Sequence, residues 1–385
     1  METISLNGDW RYRPDPHNKG LAFGYETTDN DTSDWKTMSI PSNWELAGLH
    51  NYCGVVWFTR TFQMPEGYSQ RRLRLRFEGL DYNATVWING RCLGDHAGYF
   101  QPFEFDISPF IQSGENLVTV RAESPRENDD AWPGNKRLIK GIFSHYDGRP
   151  GGWSRRHGQD GCTGGIWGSV NLLVKNEVRL ANLRALTSLV WPDEAGIQLE
   201  VEFISDASSE TAAALEISLE PENFAEGKSS RWTHELSLQP GEWIERYHEK
   251  VEGPKPWDTW DRGTPHIYRL ECLLKLDGKI VDRCERSVGF RSLNIDDHWH
   301  WQLNGKPFFP RGTNFIPTQW LSEYSESLIK NDMEMLQSAF VNAIRITGHV
   351  NRPELLEACD RAGILVWQDF ALQWGNDGST DFRKE

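Results

Sequence analysis

Apolar and polar residues alternate through most of the first three-quarters of the chain. In residues 72–78, Leu73, Leu75 and Phe77 alternate with Arg72, Arg74, Arg76 and Glu78, which predicts a strand with one buried face. Asn89-Gly90 falls between two extended runs and predicts a tight hairpin. Further strands read at ENLVTVRAE and GGIWGSVNLLV, with no long helical period between them. From about 179 the alternation becomes more regular. Ile197, Leu199, Val201 and Phe203 share a face opposite Gln198, Glu200 and Glu202, and two long runs meet at Asp277-Gly278. Two antiparallel sandwiches are expected, over 1–178 and 179–291.

The period then changes. FFPRGTNF, NAIRIT and GILVWQDF read as buried strands, and Ile329, Met333, Leu336 and Phe340 between the first two recur at helical spacing. Pro353 near the start of a second helix and Gly363 just past its end mark its limits. Strand, helix, strand, helix, strand requires parallel pairing through right-handed crossovers, giving a third unit over 292–385.

Composition narrows the functional classes. A formal charge of −15 over 385 residues argues against a nucleic-acid partner, and no segment calls for a membrane span. The first residues lack a basic stretch followed by an apolar run, so a cytoplasmic location is the expectation. Cys53, Cys92, Cys162, Cys272, Cys284 and Cys359 show no CxxC spacing and read as reduced structural thiols. Eighteen Trp, ten Tyr and eighteen Phe supply flat apolar faces, which serve both cores and carbohydrate sites. A neutral substrate fits the acidic chain.

In parallel β/α units the working residues lie at the C-terminal ends of strands. Those ends carry Asn314, then Arg345, Thr347 and His349, then Trp367 and Asp369. Arg345 and Asp369 read equally as a buried pair holding neighbouring strands, and His349 as a loop histidine bonded to backbone. Asp296, His298 and His300 could set two imidazoles on one strand face as metal ligands, but the junction position disfavours this, and neither a metal nor another cofactor is expected. No Gly-rich phosphate loop or nucleophile elbow is present.

Four stretches carry a family resemblance: FEGLDYNATVWINGRCLGDHAGYFQPFEFDIS, GGIWGSVNL, LNGKPFFPRGTNFIPTQW, and NAIRITGH through CDRAGILVWQDF. In that order they resemble glycoside hydrolase family 2 along essentially the whole chain. VWQDF and GTNFIPTQW look most like its β-mannosidase branch, whereas the Arg345-to-His349 spacing is similar to that of β-galactosidases and β-glucuronidases.

The resemblance implies a jelly-roll sugar-binding domain (1–178), an immunoglobulin-like domain (179–291) and the first three strands of a catalytic (β/α)8 barrel (292–385). It implies a glycone pocket lined by Asn314, Arg345, His349, Trp367 and Asp369, with Trp320 and Trp374 as wall aromatics. Asp81 and Asp160 match loops that reach the barrel mouth in relatives, although a turn-capping role suits both.

A retaining glycosidase needs two carboxyl groups about 5 Å apart. The family sets these on later barrel strands, so no catalytic residue is expected here and the chain reads as the N-terminal portion of a larger enzyme. A non-catalytic carbohydrate-binding or scaffold protein, or one chain of a split enzyme, is the alternative. An incomplete barrel is expected to expose Ile344, Ile346, Ile364, Val366 and Phe370, and to self-associate or take a partner through its free edge.

Overall fold

The computed structural model describes residues 2–68, 71–126, 137–142, 161–190 and 194–372. Two antiparallel sheets face each other in the first unit. The larger has six strands in the order Lys36–Ile40, Gly8–Asp15, Gly54–Met64, Gly114–Ser124, Asn83–Ile88 and Arg91–Ala97. The smaller runs Glu2–Ser5, Val170–Lys175, Arg72–Phe77 and Phe103–Asp106, so that Thr3 pairs with Leu173 across almost the whole unit. Leu73, Leu75 and Phe77 bury fully against Val56, Phe58 and Val120 of the opposite sheet. The arginines of the same strand face outward, where Arg74 and Arg76 lie near Glu104.

The second unit packs Val178–Val190, Glu194–Ser205 and Gly241–Val251 on a four-stranded sheet ordered Ser230–Leu238, Thr211–Pro221, Tyr268–Leu276 and Lys279–Val288. Ile197, Leu199, Val201 and Phe203 meet Leu215, Ile217 and Leu270 in one core. Both expected hairpin turns form: Asn89 and Gly90 have φ of 47° and 75°, and Asp277 and Gly278 have 48° and 74°.

In the third unit a small hairpin sheet (Leu293–Ile295, Trp301–Leu303, Lys306–Phe308) leads into three parallel strands, Gly312–Phe315, Ala343–Ile346 and Leu365–Gln368. Helix α1 (Glu326–Ser338) follows the first parallel strand and α2 (Pro353–Ala362) the second. Ser325 caps α1 by accepting from Leu328 N, and Gly363 closes α2 at φ 69°. A side chain at Gly363 would also strike the backbone of Trp260, 2.6 Å from its nitrogen.

Several expectations change on folding. Ile344, Ile346 and Ile364 are at most 1% exposed because they point at α1 and α2, which cover that face with Ile329, Met333, Leu336, Leu355 and Cys359. Val366 is partly buried in the same cluster, and Phe370 alone of the five is open, at 87%. Phe340 is not part of the helical stripe. Helix α1 stops at Ser338, and Phe340 turns the chain at φ 59° with its ring exposed, a conformation that costs a bulky residue about 1–2 kcal/mol. Residues 297–298 form the turn between the first two strands of the hairpin sheet, not a strand face. Asp296 there accepts from the backbone of His298 and His300 and from the His300 ring, at 2.8–2.9 Å.

The reduced-thiol expectation fails for Cys53 and Cys162, which form a disulfide with Cα atoms 5.8 Å apart. Ser42 and Trp44 bond the carbonyls of Ile166 and Gly164, and the Trp44 indole donates to Tyr52 O, which folds Cys53 back beside Cys162. No local spacing encodes this, because the partners are 109 residues apart. Cys92, Cys272, Cys284 and Cys359 are free. A cross-link over so long a loop stabilises by about 2–4 kcal/mol. The double change Cys53→Ser, Cys162→Ser should therefore lower the urea midpoint of the first unit, and adding reductant to the unaltered chain should do the same. An unchanged midpoint in both experiments would count against the bond.

Candidate functional site

Side-chain alternation sorts each parallel strand into two faces. Ile344, Ile346 and Val366 face the helices, so Ala343, Arg345, Leu365 and Trp367 face the other way. Register sets Asn314 opposite Arg345, and Arg345 opposite Trp367. One row of polar and aromatic groups therefore crosses all three strands. It lines a groove of about 550 Å3 whose walls include Trp301, Pro310 and Leu365.

Arg345 is the centre of this row. Its Nε lies 3.1 Å from both carboxylate oxygens of Asp369 and its guanidinium reaches 2.8 Å from Oδ2, a forked charge-assisted contact. The hydrogen bond and then the charge of Asp369 raise the arginine's pKa further. The guanidinium carbon also sits 5.9 Å from the centre of the Trp367 ring. Trp367 in turn lies parallel to Trp299 at 6.5 Å and tilted against Trp301 at 6.1 Å. The result is a half-exposed guanidinium, oriented by one carboxylate and flanked by indoles. Such a group can hold hydroxyls or a carboxylate of a ligand.

Other expected site residues go elsewhere. His349 is fully buried, donating from Nδ1 to Thr347 O at 2.9 Å while Asn351 Nδ2 lies 3.2 Å from Nε2. Its carbonyl accepts from Gln368 at 2.7 Å, so it ties the loop after one strand to the end of the next. Trp320 is partly buried beside the short turn Leu321–Glu323 and does not line the groove. Asp81 is corrected from a substrate contact to a buried anchor. It is wholly enclosed, paired with Lys140 at 2.8 Å, and accepts from Ser124 and Thr163 at 2.9 and 2.8 Å. Asp160 and Trp374 lie outside the described residues.

Sequence reasoning missed Trp299 and Trp301. The apolar alternation of the hairpin marks Trp301, but nothing local marks Trp299, whose φ of 63° is set by the Asp296 turn. Among the described residues no group of three His, Cys, Asp or Glu side chains could hold a metal ion.

Two family models match the chain. Residues 3–131 match the sugar-binding domain of glycosyl hydrolases family 2, and residues 178–291 match a second model of the same family. The chain belongs to glycosyl hydrolase family 2. Among family 2 relatives, a β-galactosidase of Thermoanaerobacter pseudethanolicus is 23% identical over 99% of this chain and 48% of its own length. A β-glucuronidase of Bacteroides fragilis is 25% identical over 96% and 49%. The fold of Bacteroides uniformis β-glucuronidase 2, solved with a covalently bound cyclophellitol-6-carboxylate aziridine, superposes with a TM-score of 0.78 at 22% identity, covering 96% of this chain and 42% of that one. The chain thus spans about half the length of these relatives or less.

The buried histidine yields a pH test. Loss of water lowers the pKa of His349, against the opposing pull of Thr347 O and Asp369. A folded-state value below the unfolded one, about 6.5, means that stability is full above that pH and is lost as pH falls through the depressed value. His96, also lowered by burial, adds a second such group in the first unit. Unfolding free energy should fall on acidification from pH 7 to 5, by at most about 1.4 kcal/mol per pH unit for each histidine, and the melting temperature with it. In His349→Gln the loss in the third unit should shrink, as read by the fluorescence of its tryptophans; an unchanged slope would contradict the assignment.

Proposed function

We propose that this chain forms the sugar-binding and glycone-positioning part of a family 2 retaining exo-glycosidase acting on β-linked sugars. In this reading 1–178 is a jelly roll, 179–291 an immunoglobulin-like sandwich, and 292–385 the opening of a (β/α)8 barrel whose further strands pair with the free edges of the parallel sheet. The observation that carries the reading is the row Asn314, Arg345, Trp367, with Asp369 clamping the arginine at the open end of the strands. A sugar ring would lie on the indoles, while Asn314 and Arg345 meet its polar groups.

Neither role of the reaction falls to Asp369 itself. Its carboxylate is engaged by Arg345, and a single carboxylate cannot act as both nucleophile and proton donor across about 5 Å. The two glutamates that the family resemblance calls for are placed outside residues 1–385. β-Galactosides and β-glucuronides are favoured over β-mannosides by the names of the relatives, and Arg345 suits a glucuronate carboxylate as well as a hydroxyl. The disulfide Cys53–Cys162 favours an oxidising compartment over the cytoplasm. Among the described residues no helix is long and apolar enough to cross a membrane.

Purified 1–385 should show no turnover of nitrophenyl β-galactoside, β-glucuronide or β-mannoside above background. A longer chain from the same reading frame should be active, and Arg345→Ala in it should reduce kcat/KM by roughly 100-fold or more through lost positioning. Turnover by 1–385 itself that Asp369→Asn abolishes would sink the proposal, as would full activity of the longer Arg345→Ala chain.

A further inference from the structure

Two thiols stand opposite each other in the second sandwich. The register of the strands Tyr268–Leu276 and Lys279–Val288 pairs Cys272 directly with Cys284. Directly opposed residues on antiparallel strands share a face. Both belong to the core of the sandwich, Cys272 wholly enclosed and Cys284 half-buried at its margin. The register is held from two sides, because the strands turn tightly at Asp277-Gly278 and Arg283 donates to Glu271 at 2.6 Å beside the pair. Among the described residues, the other free thiols stand apart in different units. Cys92 is exposed on the first, and Cys359 is buried in the third, 3.8 Å from the Met333 sulfur.

Opposed positions suit a covalent bond. Their Cα atoms lie roughly 4.5–5.5 Å apart, inside the roughly 4.4–6.8 Å span of disulfides. Their Cβ atoms lie about 4.5–5.5 Å apart and a disulfide needs about 3.5–4.5 Å, so closure asks for about 1 Å of movement. Lys279–Val288 is the outermost strand of its sheet, and its pairing shifts register between Leu274 and Lys275, which gives it that freedom. Conditions that oxidise Cys53 and Cys162 act on this pair as well.

We infer that Cys272 and Cys284 are an oxidisable dithiol, closed to a second disulfide of the folded chain by a small-molecule disulfide such as oxidised glutathione. Cys284, the accessible partner, loses its proton and attacks one sulfur of the oxidant, which releases one glutathione thiolate and leaves a mixed disulfide on Cys284. The Cys272 thiolate then attacks the Cys284 sulfur and the second glutathione thiolate leaves. The two protons given up by the cysteines pass to the two departing thiolates, so two protein thiols lose two electrons and one oxidant becomes two thiols. Burial pushes the Cys272 thiol up to about 12 and raises Cys284 as well, so little thiolate is present at neutral pH and closure is slow there. The product ties the outermost strand to its neighbour across the Asp277-Gly278 turn. The inference does not rest on the function proposed above.

Peptide mapping of the folded 385-residue chain tests it. The chain is held with oxidised glutathione in native buffer, quenched and alkylated in urea, and digested with trypsin without reduction. Cleavage after Arg269, Lys275, Arg283 and Arg286 puts the two thiols on separate peptides, 270–275 and 284–286. These peptides should appear linked to each other and free of alkyl groups, the link should form roughly tenfold faster or more at pH 9 than at pH 7, and the urea midpoint of the second unit should rise. In Cys284→Ser the link should vanish and Cys272 should be recovered alkylated. The map of the unaltered chain decides if that variant unfolds. Three results would overturn the inference: both peptides recovered alkylated after prolonged oxidation, a lasting glutathione adduct on Cys284 beside an alkylated Cys272, or a link that forms only when the oxidant meets the urea-unfolded chain.

Discussion

Two indole N–H groups fix the third unit to the second, and the placement of the groove depends on them. Trp257 reaches from a loop of the sandwich to Asp360 O, and Trp260 reaches Val341 O, both at 2.8 Å; the backbone of Trp260 also bonds Gly363 O at 3.1 Å. Each of these carbonyls sits near the start of a parallel strand or the end of a helix. One side chain thus buries a large apolar surface and meets a carbonyl that would otherwise be stranded. Asn304 Nδ2 bonds Trp257 O at 2.9 Å, while Arg311 and Asn342 converge on Asp261. Burial pushes the Asp261 carboxyl up, but the bonds from Thr259, Arg311 and Asn342 together bring it below its ordinary value. The strap therefore holds the strand starts rigid, and the strand ends, where the groove opens, inherit that rigidity.

A second tether comes from the first unit. Leu321 is fully buried among Tyr82, Tyr99, Ile142 and Trp167, and Asn43 exchanges bonds with the backbone and hydroxyl of Ser322 at 2.8–3.2 Å. The Asp81 cluster lies beneath, joining residues 81, 124, 140 and 163 through one enclosed ion pair. Removing Lys140 alone would leave a buried carboxylate without its counter-charge, so the cluster acts as a unit. The groove is thus bordered by segments from both directions along the chain.

Much of this was readable from local pattern. The strand Arg72–Phe77, the turns at Asn89-Gly90 and Asp277-Gly278, and the limits of α2 at Pro353 and Gly363 depend on interactions within a few residues, which the sequence displays directly. The pairing of Arg345 with Asp369 was one of two readings, and it needed only the register of neighbouring strands. What stayed hidden depends on distant closure. Cys53 meets Cys162 only after the loops around Trp44 and Gly164 lock together, Asp81 finds Lys140 only inside the assembled unit, and the exposure of Trp299 follows from the Asp296 turn. Ile344 and Ile346 were misjudged because a strand with apolar residues on both faces does not reveal which face its helices cover.

The pairing of Thr3 with Leu173 has a consequence for biogenesis. Within this unit the strand Glu2–Ser5 is made well before its partner Val170–Lys175, which is among the last segments of the unit. At about 5–20 residues per second, the strand Glu2–Ser5 waits roughly ten seconds or more, and until then Val170–Lys175 cannot bridge it to Arg72–Phe77. The sandwich core is an open apolar sheet for that interval, and chaperones that shield nascent sheet edges have their longest opportunity there. The α1 and α2 crossovers, whose contacts are nearer in sequence, close within a much shorter span of translation.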